Sequence, residues 1–275
     1  MRRIKSHLSK RGYIFWGFVG VGLLIAVYSY LSYRQHQHNP DDTTMPNLVQ
    51  LCHGFVHICT PQGAIEKEIW LLKDAVATYG RLSYSLALAC AMSVVIGITM
   101  GCFPTIEAIF YPMLNFLAKI PATAMISVFL VLGKLLLGEG ENLFIAMIAF
   151  GVLPVLAQSV YLSAKYDVHD EHVNKAYTLG ASNMEVITGV VWPQVLPKVL
   201  ESIRLQIGPA MVFLIAAEYM MGSVGFGYRL RIQSRLLHMD VVYNYLIILG
   251  ATGFFMDWAM FRFRKWACPW YSRGE

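Results

Sequence analysis

Apolar residues recur in long runs along this chain, at Tyr13–Leu31, Leu82–Met100, Ala122–Leu137, Asn142–Ala164, Ile203–Met221 and Val241–Phe261. A spanning helix needs about 20 consecutive apolar residues to cross a bilayer core. The pattern therefore predicts an all-α integral membrane protein with six transmembrane helices, joined by segments rich in polar residues, glycine and proline. Composition agrees: 56% of the 275 residues are hydrophobic and only 14% are charged, against about 25% charged in soluble domains.

The basic start MRRIKSHLSKR could open a signal peptide, but the first run is long, aromatic and not followed by a small-residue cleavage site, so it reads as a retained anchor. Arg2, Arg3, Lys5, Lys10 and Arg11 then hold the N-terminus in the cytoplasm, and Arg262, Arg264, Lys265 and Arg273 do the same for the C-terminus. Arg229, Arg231 and Arg235, in a connection that this topology places outside, run against the rule. The net charge of +5 follows from the flanking basic residues. With no basic patch interleaved with aromatics, it does not point to nucleic acid.

Candidate chemistry is sparse. In LCHGFVHIC, Cys52, His53, His57 and Cys59 leave three readings open: a plain loop, a Cys52–Cys59 disulfide on an oxidising face, or a metal site. The spacing is wrong for a zinc knuckle, and Gly54 argues against a stable short helix. Cys90, Cys102 and Cys268 lie in or beside apolar runs as packing residues. All 8 histidines fall outside the spans, which argues against haem ligation inside the membrane. No G-x-x-x-x-G-K-[ST] loop is present, the one Gly-Lys pair being Gly133-Lys134 followed by Leu135, so this chain carries no ATPase of its own. GSVGFG at 222–227 follows an apolar run rather than a strand and reads as a turn. No nucleophile and base stand together near a span end, so an enzyme is not expected.

Charged residues in or beside the spans are the exceptions to examine. Glu218 and Asp257 either touch a water-filled translocation path or pair with neighbouring helices. Arg204 and Lys119 are placed to snorkel to the cytoplasmic interface. Gly97 and Gly101 form a small-x-x-x-small face for close helix packing.

The connection between the fourth and fifth runs is longer than a hairpin needs and is carefully punctuated. Asp170 and Glu171 sit at a helix start, where the helix dipole favours acids, and Gly180 supplies the left-handed residue that ends that helix. Ser182 caps a second helix in an S-x-x-E box with Glu185, and Pro193 and Pro197 keep that helix from running straight into the next span. Ala176, Gly180 and Ala181 leave the corner between the helices with little bulk, so a partner can approach closely.

This stretch resembles the cytoplasmic loop signature of binding-protein-dependent ABC transporter permeases, E-A-A, three residues, G, nine residues, then I-x-L-P. Gly180, Ala176 and Pro193 match. Asn174 stands in place of the glutamate, Lys175 in place of the first alanine, and Val190 and Trp192 in place of isoleucine and leucine. KIPATA at 119–124 is similar to the R-P-I-P-P-L-A stretch of the nitrate, sulfonate and taurine branch. AAEYMMGSVGFGY at 216–228, with Asp240, Gly250, Gly253 and Asp257, is similar to its closing third. The likeness covers about residues 70–270.

The resemblance implies the type I importer arrangement in a bacterial inner membrane, with both termini cytoplasmic. Residues 1–33 would be the N-terminus and first anchor, 34–69 an external segment, 70–265 the permease domain and 266–275 a cytoplasmic tail. Within the permease domain a coupling loop, 165–200, carries Asn174, Lys175, Ala176, Leu179, Gly180, Ala181, Ser182, Glu185 and Pro193. Implied partners are cytoplasmic ATPase subunits holding ATP and Mg, a second permease subunit, an external or lipid-anchored solute-binding protein, and membrane lipid. This chain itself would hold no cofactor and no metal, and the solute would be small and polar, of a nitrate, sulfonate or taurine type. The rival readings are an ion-gradient-driven transporter using Glu218 or Asp257 as proton carrier and a membrane scaffold for a soluble partner.

Overall fold

In the computed structural model, the structure describes residues 9–39, 42–62, 68–133, 135 and 140–271. Arg2, Arg3, Lys5, Lys134, Leu137 and Arg273 of the sequence reading lie outside them. The chain divides into two compact units, Met1–Trp70 with Ile232–Tyr245, and Leu71–Arg231 with Leu246–Glu275.

In the first unit, α1 (Lys10–His38) starts on Ser9, whose hydroxyl accepts from the Gly12 amide. It carries the first apolar run, none of which is buried within the chain, and continues into a polar tail. Thr44, in the connection that follows, donates its hydroxyl and amide to Asp42 and holds that carboxyl below the usual carboxylate range. A second helix, α2 (Leu48–Cys59), starts in a reciprocal capping box between Asn47 and Gln50. LCHGFVHIC is therefore helical. Gly54 favours the helix here by allowing a close approach, since a β-carbon would lie 2.8 Å from a carboxylate oxygen of Asp240 and 2.9 Å from its carbonyl. Cys52 and Cys59 are free thiols. Seven residues of helix separate them by about 10 Å, too far for a disulfide without moving backbone. A two-residue antiparallel ladder, β1 (Pro61–Gln62) with β2 (Glu68–Ile69), leads to the next helix.

The second unit is a helical bundle. In α3 (Trp70–Cys102) the buried positions are Asp74, Thr78, Arg81, Leu82, Ser85, Ala89, Ser93, Gly97, Ile98 and Met100. Their three- and four-residue spacing marks one face, and that face is more polar and smaller than the outer one. Lipid tails are as apolar as leucine, so close packing and hydrogen bonding, not oil, select the buried side. Gly97 and Gly101 give the close face expected of them: β-carbons there would come within 2.6 Å of Val160 and 2.5 Å of Ala164, on α6 (Glu141–Tyr166). The Ser93 hydroxyl donates to the Leu153 carbonyl across the same seam.

Arg81 meets Glu141 at one end of this pair and Gly101 meets Ala164 at the other, so α3 and α6 run parallel. Parallel neighbours require the chain to cross back between them. That return is made by α4 (Pro104–Leu117), a turn through Pro121, a helical turn α5 (Ile126–Val128) and a π turn over Phe129–Gly133. Its residues meet α6 in descending order: Glu107 and Tyr111 at Tyr161, Ala122 at Gly151, Phe129 at Phe150. The third crossing is thus a broken one spread over 104–133, not a helix on the run Ala122–Leu137. Pro104, Pro112 and Pro121 break up the ladder that a continuous helix would need. Among the described residues, five helical stretches are long and apolar enough to span a membrane by themselves.

A short helix α7 (Asp170–Thr178) and a single turn α8 (Asn183–Val186) follow α6. A π turn, Ile187–Val191, then joins α8 to α9 (Trp192–Met221). Pro193 and Pro197 do not separate this loop from the next span: the helical stretch is continuous from Asn183 to Met221. Pro193 sits in the first turn of α9, directly after the widened π turn, where its missing N–H is tolerated. Contacts of Ser159 with Ser202 and Gly151 with Phe213 show that α9 runs antiparallel to α6. After α10 (Phe226–Arg235), α11 (Met239–Ala267) passes α9, also antiparallel, with Asp257 at Arg204 and Arg264 at Glu201. The core of the unit is a ladder of Met147, Ile148, Val152, Leu156 and Val160 from α6 against Val195, Val199, Ala210 and Leu214 from α9.

The glycine seam gives a direct test. Gly97→Leu forces α3 off α6 and should cost about 1–3 kcal/mol as an overpacked interface, read as a lower melting temperature of the purified chain in detergent. Gly80→Leu, on the same helix with open space at its β-carbon, should leave the melting temperature unchanged.

Candidate functional site

The two ends of the bundle carry different chemistry. At the end shared by the C-termini of α3 and α6 stands the α7–α8 corner. The Gly180 amide donates to the Tyr177 carbonyl (2.9 Å) and the Ala181 amide to the Ala176 carbonyl (3.1 Å), the paired bonds of a Schellman motif. Gly180 takes φ +86°, so a non-glycine residue there is strained. Ser182 and Glu185 form the expected box: the Ser182 amide donates to the Glu185 carboxylate (2.8 Å) and the Glu185 amide to the Ser182 hydroxyl. The Tyr177 hydroxyl donates to the Asn183 side-chain carbonyl at 3.0 Å and closes the corner from one helix to the other.

One side of this corner is anchored and the other is bare. Val186 is buried, and Val173, Ala176, Ala181, Ile187 and Val190 pack against the same core as α6 and α9. Asn174, Lys175, Gly180, Ser182 and Glu185 are exposed, and Pro193 is half-buried. Leu179 is 88% exposed and Met184 67% exposed, with Tyr177 beside them. At the base, Lys198 pairs with Asp167 at 2.5 Å.

At the opposite end of α9 lies a buried ionic cluster. The Glu218 side chain has no solvent exposure, and its carboxylate accepts from the Thr78 hydroxyl (2.9 Å), Arg81 Nη1 (2.8 Å) and the Gly227 amide (3.0 Å). Arg81 also grips Glu141 with Nε and Nη2, donates to the Val224 carbonyl and lies 4.4 Å over the Phe144 ring. Asp74, with a fully buried side chain, accepts from Arg229 Nε (2.8 Å) and the Gly225 amide (3.1 Å), while the Phe226 amide donates to Thr78. GSVGFG is accordingly the turn that wraps the Glu218 carboxylate. Gly225 is obligatory in it, with φ +120° and a β-carbon position 2.5 Å from that carboxylate.

Of the sequence candidates, Glu218 joins this cluster, whereas Arg204 and Asp257 meet elsewhere. Arg204 is paired across helices: its Nε and Nη2 each lie 2.7 Å from Asp257, and Glu201 bridges Arg204 and Arg264. The antiparallel run of α9 and α11 brings the two side chains face to face as a bidentate pair. Sequence reasoning missed Thr78, Arg81, Glu141, Asp74 and Arg229. The available signal was charge of opposite sign at matching ends of neighbouring apolar runs, together with the three- and four-residue spacing of Asp74, Thr78, Arg81, Ser85 and Ala89.

These features define a class: a multi-pass all-α membrane protein with a rigid, solvent-facing corner at one end of its helical bundle. Residues 93–267 match the family described as "Binding-protein-dependent transport system inner membrane component", and the chain belongs to that family as the permease subunit of an ABC importer. It is 26% identical over 231 residues to the taurine transport system permease protein TauC of Escherichia coli (strain K12), covering 84% of this chain and 82% of that protein. A putative ABC transporter permease protein of Methanocaldococcus jannaschii is 30% identical over 188 residues, 68% of each chain. The bicarbonate transport system permease protein CmpB of Synechococcus elongatus is 24% identical over 214 residues, 78% of this chain and 73% of that one. In fold, a chain of the MetNI methionine ABC transporter, solved in inward-facing conformations, superposes with a TM-score of 0.60 at 15% identity, covering 71% of this chain and 93% of that chain.

Removing one partner from a buried ion pair leaves an uncompensated charge, at a cost of about 3–5 kcal/mol. Arg81→Met should therefore lower the melting temperature strongly and reduce the yield of monodisperse protein. The double variant Arg81→Met with Glu218→Gln should recover most of that loss, whereas an unrecovered double variant would show that Arg81 acts chiefly through Glu141 or Phe144.

Proposed function

We propose that two copies of this chain form the translocation path for a small polar anion or zwitterion, delivered by an external or lipid-anchored solute-binding protein. ATP and Mg are held on separate cytoplasmic ATPase subunits that dock at the loop 165–200. The observation that carries this reading is the α7–α8 corner, rigid by its own hydrogen bonds, seated on the core and presenting Leu179 and Met184 to solvent. A connector between two spans needs none of these. The solute class is supported by the relatives named for taurine and bicarbonate transport. With six crossings, one of them the broken segment 104–133, both termini lie on the side of the corner, in the cytoplasm.

The coupling follows from continuity. From Asn183 to Met221 the backbone is helical without interruption, about 58 Å at 1.5 Å per residue. A push on α8 by a closing ATPase dimer is thus delivered along one rigid element to Glu218, where α3, α6 and the turn 222–227 are tied together. The ATPase biases a two-state bundle by binding one state better than the other. Asn174 can accept a hydrogen bond from the partner but cannot ion-pair with it, and Lys175 offers that partner a positive charge instead.

Two substitutions separate docking from folding. Gly180→Asp meets open space in this chain, so its backbone strain is about 1–2 kcal/mol and the protein still inserts, while the added side chain obstructs the close approach of the ATPase. Leu179→Asp changes a side chain with almost no contacts of its own and removes an apolar anchor of about 2 kcal/mol, roughly thirtyfold in affinity. Both should abolish co-purification of a P-loop-bearing chain and stimulation of its ATP hydrolysis, at unchanged membrane yield. Normal transport by either variant would overturn the assignment.

A further inference from the structure

The helix α2 has three faces. Leu51, Gly54 and Ile58 turn inward, and Gln50, His53 and His57 form a polar strip. On the remaining face, Leu48 (61% exposed), Val49 (65%), Phe55 (47%) and Val56 (59%) stand in the open beside an exposed Cys52. At about 100° per residue, these five positions occupy an arc of about 120°. An apolar arc of that width on a helix with a polar neighbouring strip demands a cover.

The contacts of α2 say what lies beside it. The Tyr28 hydroxyl donates to the Pro46 carbonyl (2.7 Å) and the Ser32 hydroxyl to the Met45 carbonyl (3.0 Å). Tyr28 and Ser32 mark the level on α1 where the apolar run gives way to the polar tail Arg34–His38. Farther along α2, the Asn244 side chain donates to the Leu51 carbonyl (2.8 Å) and Gly54 rests on the Asp240 backbone. Asp240 and Asn244 lie where the last spanning helix begins. The Tyr28 and Tyr243 rings meet at 5.7 Å, so both levels coincide. The residues leading into α2 and the middle of α2 are therefore pinned to the boundary ends of two spanning helices, which holds α2 at the membrane surface.

We propose that α2 is an in-plane membrane helix whose Leu48, Val49, Cys52, Phe55 and Val56 face is immersed in the boundary between lipid headgroups and acyl chains, with His53 and His57 toward water. The occupant is lipid, because the exposed arc stands at the level where the apolar run of α1, itself unburied, comes to its end. Such helices sink roughly 5–10 Å below the headgroup surface. This role is independent of which solute the permease carries and of its ATPase docking.

The test uses the full chain in vesicles of phosphatidylethanolamine and phosphatidylglycerol. A membrane-impermeant maleimide is added and labelling is read site by site by mass spectrometry, on the unaltered chain for Cys52 and on the single variant His53→Cys for the polar strip. In parallel, a diazirine-bearing phospholipid is activated in vesicles holding the unaltered chain and its adducts are mapped. Immersion predicts that Cys52 reacts roughly tenfold more slowly than a cysteine at position 53, equivalent to about 1.4 kcal/mol of protection, and that lipid adducts fall on residues 48–56. Equal reactivity at the two positions overturns the proposal whatever the adduct map shows. Protection of Cys52 without lipid adducts also overturns it, because the cover is then a second copy of the chain.

Discussion

A carboxylate with no access to water must be answered by cations and N–H or O–H donors, and Glu218 is such a group at the end of the longest helical stretch among the described residues. Its partners come from everywhere: Thr78 and Arg81 from α3, the Gly227 amide from the turn beyond α9, and through Arg81 the Glu141 carboxylate at the start of α6. Satisfying that one charge fixes the relative height of three helices and the path of the glycine turn. The cost of leaving it unsatisfied, several kcal/mol per ion, exceeds what any single apolar contact in the bundle supplies, so the surrounding packing has to accommodate the cluster rather than the reverse. The polar inner positions Thr78 and Arg81 of α3 follow from the same requirement.

The opposite end is built by different means. The α7–α8 corner takes its shape from bonds between residues three to five apart, and tertiary packing only seats it. The corner's geometry is thus fixed locally, while the side chains that reach furthest out, Leu179 and Met184, are not used by the fold. Between the two ends the helical stretch through the π turn and α9 is unbroken, with Pro193, Pro197 and Pro209 accommodated in its length. The same stretch therefore belongs to the locally determined corner and to the globally determined ion cluster.

The small unit around α1 and α2 illustrates how a glycine changes meaning with context. In the sequence Gly54 weakens a short helix, by roughly 1 kcal/mol relative to alanine. In the structure it is the position where α2 comes into backbone contact with residue 240, and the loss of propensity is offset by the Asn47–Gln50 box and by the Asn244 bond to Leu51. Local preference is decided there by a contact almost two hundred residues away.

Membrane class, the apolar runs, the capping box at Ser182 and Glu185, the left-handed Gly180 and the close seam at Gly97 and Gly101 were all determined by the sequence alone. Each depends on composition or on residues a few positions apart, where periodicity and hydrogen-bonding rules act without knowledge of the fold. The pairing of Arg81 with Glu218 and Glu141, of Arg229 with Asp74 and of Arg204 with Asp257 joins residues separated by between 53 and 155 positions. So does the parallel setting of α3 and α6, which turns 104–133 into a broken crossing. These were decided only by the tertiary structure, because which charges meet depends on which helix ends lie at the same depth, and depth is set by packing between helices rather than by any pattern within one.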